Sequence, residues 1–189
     1  MGVPGMRGLA IALVATTVFA CAAPAATPSP RVAHATMHYY AVGGVTEAQI
    51  RARLNANAPA SPDGFKGDAY TSWHYHWGWP GYGTSTCNLA QAVVRLTVDV
   101  HFPRWTHPKA ASAAVAAAWN RYAKALAVHE SGHARYVRAR YPFVVRAIEH
   151  AACRSADAAA QAQLALIRKH DLAYDARTNH GETQGARFP

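Results

Sequence analysis

The most constraining feature of the chain is a long helical pattern in its Ala-rich segment, residues 109–150. Side chains three or four residues apart project from the same side of a helix. Eight residues keep this spacing and are mostly apolar or aromatic: Val115, Trp119, Tyr122, Leu126, His129, His133, Tyr136 and Arg140. The pattern predicts one long helix with a buried stripe. Pro142 is expected to break or kink that helix near its far end, because proline lacks an N–H and clashes with the preceding turn.

Shorter patterns on both sides of this helix predict the rest of the fold. A second helix is expected over residues 155–172 and would pair with the first about a turn near Cys153. Residues 90–102 alternate apolar and polar side chains, as a strand with one solvated face does, and Pro103 is expected to interrupt that pattern. Further strands are predicted over residues 36–42 and 69–79, with a short helix after Thr46. We therefore expect a single α+β domain over residues 36–189, in which a small antiparallel sheet packs against a long helical hairpin and the tail 174–189 is irregular.

Residues 1–22 predict export of the protein. One charged residue, Arg7, precedes an apolar stretch of about 12 residues, which suits a signal peptide and falls short of the roughly 20 that a membrane-spanning helix needs. Secretion, or release into a periplasm, is favoured over lipid anchoring through Cys21, and no transmembrane helix is expected in the mature protein. Residues 23–35 are expected to be a flexible lead-in. In an oxidising compartment Cys87 and Cys153 are expected to form a disulfide, the alternative being two buried thiols.

The buried stripe of the long helix contains the motif His129-Glu130-Ser131-Gly132-His133, which has the form H-E-x-x-H. Residues four apart on a helix lie one above the other, so both imidazoles can reach one zinc ion. Glu130 then lies beside the metal, where it can act as general base towards a water that the zinc activates. The alternative is a helix with two partly buried histidines and a solvated glutamate. We favour the zinc site, because each buried histidine needs a polar partner.

A catalytic zinc needs a third protein ligand. If the two long helices pair about a turn near Cys153, residues about 20 after the turn return to the level of His133. The candidates at that level and in the following tail are His170, Asp171, Tyr174, Asp175 and His180.

The order of several motifs resembles the bacterial family called domain of unknown function 922. The resemblance covers residues 37–189 and rests on Tyr39-Tyr40-Ala41-Val42-Gly43-Gly44, Thr71-Ser72-Trp73, Cys87, Pro103-Arg104-Trp105, Trp119, the H-E-x-x-H motif, Cys153, Tyr174-Asp175, His180-Gly181 and Gln184-Gly185. Members of the family are described as secreted zinc-dependent proteases, a description inferred from the motif. The resemblance thus implies a zincin-like fold, a zinc cofactor and a peptide or protein substrate.

Together, the resemblance and the helix geometry favour His180 as the third zinc ligand, with Asp175 as the alternative. Tyr174, or His180 if it does not bind the metal, could donate a hydrogen bond to the oxyanion of a tetrahedral intermediate. A substrate groove could be lined by Trp73, His74 and His76 on the aromatic strand. The alternative for that strand is a packed aromatic face with a solvated reverse side.

The chain has 19 Lys and Arg against 10 Asp and Glu, for a formal net charge of +9. Such a charge is typical of nucleic-acid binding, but the basic residues are scattered except for Arg135, Arg138 and Arg140. No nucleic-acid motif is present either, so we do not expect a nucleic-acid partner. For an exported protein the charge favours an anionic cell-envelope surface. The function that we expect is a secreted zinc metallopeptidase. The alternative is a non-catalytic extracytoplasmic protein that binds zinc or the cell envelope.

Overall fold

The structure is a computed structural model that describes residues 1–2, 29–62, 64–106 and 111–189. The elements in chain order are strand β1 (Thr36–Val42), helix α1 (Glu47–Asn57), strands β2 (Tyr70–Gly78) and β3 (Val93–Trp105), and helices α2 (Ala113–Glu149) and α3 (Ala156–Thr178). Single 3-10 turns lie at Leu89–Gln91 and Glu182–Gln184. The predicted signal peptide, apart from its first two residues, and Cys21 lie outside the described residues.

The strands form one three-stranded sheet in the order β1-β3-β2. β2 pairs antiparallel with β3, whereas β1 pairs parallel with β3. The α+β class is therefore confirmed, but the expectation of a purely antiparallel sheet is wrong. The chain between β1 and β3 includes α1 and β2, which provides the long crossover that a parallel pair requires. Within the described sheet β2 is an edge strand.

β3 carries the predicted alternation but extends beyond it. Val94, Val98, Val100 and Phe102 are buried on the inner face. The strand continues to Trp105 through Pro103, which was expected to interrupt it. The ladder with β2 ends at His101, so beyond that residue β3 pairs with β1 alone, and a residue without an N–H can be accommodated there.

Helix α2 begins at an N-cap, Ser112, whose hydroxyl accepts from the N–H of Val115. It contains Pro142 without a break, contrary to one of the outcomes expected from the sequence. Buried side chains on both sides of the proline, Val137 and Val144, hold the two parts of the helix in the core. Their packing outweighs the one backbone hydrogen bond that the proline removes.

Helix α3 pairs with α2 as predicted, but it runs to Thr178, six residues further than expected. The tail from Tyr174 is therefore helical in its first part. The helix ends where Asn179 and Gly181 have positive φ angles of 47° and 85°. Asparagine and glycine adopt this left-handed conformation most readily, so they stop the helix. The predicted disulfide between Cys87 and Cys153 is confirmed, and it joins the turn between α2 and α3 to the loop before β3.

The core lies between the inner face of the sheet and α2. The Tyr75 hydroxyl of β2 donates to the carbonyl of Val137 at 2.8 Å, which fixes the edge strand to the helix. Near the other end of α2, Phe188 of the C-terminal segment packs on Trp119 and Tyr122. Residues 29–35 of the expected lead-in also contact the domain, since Val32 is buried. None of the helices in the described part of the chain is both long enough and apolar enough to cross a membrane.

Candidate metal centre

Three potential metal ligands from two helices meet at one point. One carboxylate oxygen of Asp175, Oδ1, lies 3.1 Å from Nε2 of His129 and 3.0 Å from Nε2 of His133. The donor atoms of the three residues all lie within 4.8 Å of one another. A tetrahedral zinc with bonds of about 2.0 to 2.1 Å holds its ligand atoms about 3.3 Å apart. Small side-chain adjustments therefore suffice for the group to hold a metal ion.

The approach of α3 to α2 depends on Gly132, inside the H-E-x-x-H motif. A β-carbon at this position would collide with the ring and hydroxyl of Tyr174. With glycine there, the Tyr174 ring stacks on His129 at a centroid distance of 5.0 Å and an angle of 9°. This contact brings the next residue of α3, Asp175, to the two histidines.

Each histidine of the group has a second polar partner on the nitrogen that faces away from Asp175. Nδ1 of His133 lies 3.0 Å from Oδ1 of Asp171, and the other carboxylate oxygen of Asp171 accepts from the Trp73 indole N–H at 2.9 Å. Nδ1 of His129 lies 3.0 Å from Oε1 of Gln184. Partners of this kind fix the tautomer of a metal-binding histidine and hold its ring in place. Both rings are buried, with 4% and 7% of the residue exposed.

Without a metal, the group forms a charged hydrogen-bonded cluster. Burial lowers the pKa of His133, but hydrogen bonds to Asp171 and Asp175 outweigh it and raise the pKa to about 10. Burial raises the pKa of Asp175, but hydrogen bonds from both histidines outweigh this effect and hold the pKa well below its usual range. His133 in the metal-free protein is therefore an imidazolium between two carboxylates. A metal ion that binds Nε2 must displace one proton.

Glu130 is buried beside this group, with 2% of the residue exposed. Its Oε2 accepts a hydrogen bond from the Thr71 hydroxyl of β2 at 2.6 Å. Burial raises the pKa of Glu130, and the charge of His133 and the Thr71 hydrogen bond oppose that rise. A carboxylate whose pKa is raised is a stronger base than an exposed glutamate.

The remaining predicted ligands lie outside the group of three. His180, favoured from the sequence, is half exposed, stacks on Phe65, and has its Nδ1 3.9 Å from Asp175 Oδ1. His170 stacks on Tyr136. The structure thus brings the alternative ligand, Asp175, to the two histidines, because α3 continues to Thr178 and His180 follows its end.

Tyr174, predicted as a hydrogen-bond donor in catalysis, contributes to the packing of the centre. Its hydroxyl lies 3.4 Å from the carbonyl oxygen of His129 and 3.1 Å from Nε2 of Gln184. These contacts hold the hydroxyl between α2 and the C-terminal segment. Its predicted role towards a reaction intermediate stays a prediction.

An open cleft of about 1200 Å³ borders the three potential ligands and Glu130. Among the predicted groove residues, Trp73 and His74 line the cleft, whereas His76 is exposed further along β2. The expected alternation of β2 is present, with Tyr75 buried on the inner face and His74 exposed on the outer one. The edge of β2 and the helix α3 are thus two walls of the cleft.

Two polar partners in the centre were not assigned a role from the sequence. Gln184 was part of the family resemblance, but nothing in its local pattern indicates a contact with His129, 55 residues earlier. Thr71 was likewise part of the family resemblance without an assigned role. Its place on the inner face of an amphipathic strand was the one signal that it could face the motif helix.

Comparison with known proteins places the chain in a family. The model described as "bacterial protein of unknown function (DUF922)" matches residues 37–181. The chain belongs to this family. The DUF922 match includes all three potential ligands and ends three residues before Gln184. Neither a curated protein nor a solved structure matches the chain.

Proposed function

We propose that this protein is an exported zinc-dependent peptidase that hydrolyses peptide bonds in the cleft beside His129, His133 and Asp175. One observation carries the proposal. In the described part of the chain the candidate centre has three protein donors, and a buried carboxylate and an open cleft border it. A catalytic zinc site has three protein ligands and one open position, whereas a structural site is closed by four. The disulfide supports an extracytoplasmic location.

The donor set fits zinc, because two imidazoles and one carboxylate are the ligands of several zinc hydrolases. When bound, zinc supplies a Lewis acid that polarises the substrate carbonyl and lowers the pKa of water. The chain's own contribution is to hold the two histidines in one orientation. Asp171 and Gln184 do so through the Nδ1 atoms, which leaves both Nε2 atoms facing Asp175.

Glu130 has the position and environment of a general base. Thr71 occupies its Oε2, so Oε1 is available to take the proton of the attacking water. As the water oxygen bonds to the carbonyl carbon and the C–N bond breaks, the same carboxyl returns that proton to the leaving nitrogen. The Thr71 hydrogen bond keeps the carboxylate turned towards β2 during both transfers.

The edge of β2 offers a place for an extended peptide. Thr71 connects β2 to Glu130, so a strand paired with β2 would pass the general base. Antiparallel pairing is slightly more stable per residue than parallel pairing, and we therefore place the substrate antiparallel to β2. An unfolded segment of a protein, or a peptide, can adopt this conformation.

The substitution Glu130→Gln tests the proposal. We expect the variant to bind zinc like the wild-type protein but to hydrolyse peptides about 10² to 10⁴ times more slowly, because an amide cannot take the proton. Glu149→Gln is the matched control, since Glu149 is exposed at the far end of the same helix. Zinc content by elemental analysis and cleavage of a mixed peptide library are measured for all three proteins.

The second candidate function is non-catalytic binding of zinc or of an anionic cell-envelope surface, which the net charge of +9 favours. It predicts zinc binding without hydrolysis of any protein, peptide or cell-wall peptide. That result for the wild-type protein, with zinc bound, would refute the peptidase proposal.

A further inference from the structure

The cleft wall formed by α3 carries a positive charge that is not neutralised by the protein. Every acidic side chain that lines the cleft has a polar partner: Asp68 with Arg51, Glu130 with Thr71, Asp171 with Trp73, Asp175 with His129, and Glu182 with Asn179. Two of the three lining arginines, Arg51 and Arg187, pair with acidic residues. Within the described residues, Arg168 has no ion pair or hydrogen bond, and it is exposed to the cleft.

Arg168 belongs to the side of α3 that faces the cleft. It precedes Asp171 by three residues and Leu172 by four, so these side chains project in similar directions. Leu172 also lines the cleft and is 68% exposed. Arg168 and Leu172 thus lie side by side on this wall, where a peptide bound in the cleft would contact both.

The contacts of β2 give the direction of the cleft. Thr71 contacts Glu130, near the start of the strand, and Trp73 contacts Asp171, further along it. Still further along β2, Trp77 donates to Asp157 near the start of α3. α3 therefore runs opposite to β2. Arg168, which precedes Asp171 in α3, lies at about the level of His74.

The same contacts give the distance from the reacting bond. Arg168 precedes Asp175 by seven residues, which corresponds to about 10 Å along the helix axis. An extended peptide advances about 3.3 Å per residue, so this distance spans about three substrate residues. In a peptide antiparallel to β2, those residues lie on the amino-terminal side of the bond beside Glu130.

We propose that Arg168 makes the cleft selective for peptides with Asp or Glu two or three residues to the amino-terminal side of the scissile bond. The inference rests on the proposed function in assuming that a peptide bond is cleaved beside Glu130, but the binding preference itself does not require hydrolysis. A carboxylate is the ligand that a guanidinium binds best, through two parallel hydrogen bonds. The acidic groups already in the cleft cannot serve, because their own partners hold them.

The test compares Arg168→Glu with Lys169→Glu in zinc-loaded protein. Lys169 is the next residue of α3, is exposed, and lies outside the cleft lining, so its variant makes the same charge reversal beside the cleft. Binding of fluorescent peptides that differ by Glu or Gln at one position is measured in the Glu130→Gln background, and cleavage sites are mapped with Glu130 intact.

We expect the protein with Arg168 to bind the Glu peptide about fivefold more tightly than the Gln peptide. Arg168→Glu should abolish or reverse this preference, and Lys169→Glu should retain it. Equal binding of both peptides, a preference that Arg168→Glu does not change, or no binding of any peptide would overturn the inference. Binding that depends on Arg168 without any cleavage by the wild-type protein would support the inference and refute the proposed function.

Discussion

Replacing Asp171 with asparagine should weaken zinc binding although Asp171 is not among the three potential ligands. Its two carboxylate oxygens accept from different donors, Oδ1 from the Nδ1–H of His133 and Oδ2 from the indole N–H of Trp73. An asparagine has one acceptor oxygen and one NH₂ group, so it can satisfy one of these two donors. If its oxygen stays with Trp73, its NH₂ faces His133 and favours the tautomer with the proton on Nε2. That proton occupies the lone pair that the metal needs.

The size of the effect follows from the role of the partner. Loss of a partner behind a metal-binding histidine typically costs 10- to 100-fold in metal affinity. This corresponds to about 1.4 to 2.8 kcal/mol of binding free energy. The zinc-dependent part of the free energy of unfolding should decrease by the same amount, because zinc in excess stabilises the folded state through its affinity. Competition with a chelator gives the zinc dissociation constant, and denaturant titrations with and without zinc give the stability.

Two further variants make this prediction specific. Asp157 lies on α3, like Asp171, and accepts a hydrogen bond from the indole N–H of Trp77 on β2. Asp157→Asn therefore makes the same substitution at an exposed site and should leave zinc affinity unchanged. Trp73→Phe removes the competing donor. The double variant Asp171→Asn with Trp73→Phe should therefore bind zinc more tightly than Asp171→Asn alone, because the asparagine oxygen can turn to His133. Wild-type zinc affinity in Asp171→Asn would refute the reasoning.

Two other predictions concern the same centre. Asp175→Ala should reduce zinc affinity at least about 100-fold, whereas His180→Ala should change it less than about threefold, and chelator competition distinguishes the two; the reverse order would restore His180 as the ligand. In the metal-free protein, the raised pKa of His133 stabilises the fold fully below pH 6.5, its ordinary value, and this stabilisation is lost as the pH rises towards 10. The free energy of unfolding in a chelator should thus fall over this range by on the order of a few kcal/mol, and by less in Asp171→Asn; a flat profile would contradict the ion pairing.

Local patterns predicted the elements of the fold better than their ends. The bounds of β1 and the cap of α1 at Thr46 agree with the structure, because alternation and capping are properties of neighbouring residues. The prolines at 103 and 142 were expected to interrupt a strand and break or kink a helix, and neither ends its element. In both cases the cost of a missing N–H depends on distant segments, the end of β2 for Pro103 and the buried contacts of α2 for Pro142. A single sequence does not show those contacts.

In the candidate site, too, local spacing predicted one part, and the other part depended on where a helix ends. The spacing of His129, Glu130 and His133 is a property of one helix turn, so their convergence could be predicted from the chain alone. The choice between Asp175 and His180 depended on where α3 ends. Asn179 and Gly181 carried that signal, since both suit the left-handed conformation after a helix. Read as a helix end, they extend α3 past Asp175 and leave His180 beyond it.

Gly132 connects the motif to the rest of the centre in a way that ligand chemistry does not explain. Glycine is unfavourable inside a helix, by about 1 kcal/mol relative to alanine. At this position the cost is offset by the close approach of Tyr174, whose ring covers His129 and places Asp175 opposite both histidines. The motif therefore contributes more than its two histidines and Glu130. Its small residue sets the distance between two helices, and that distance selects which acidic residue of α3 can complete the group.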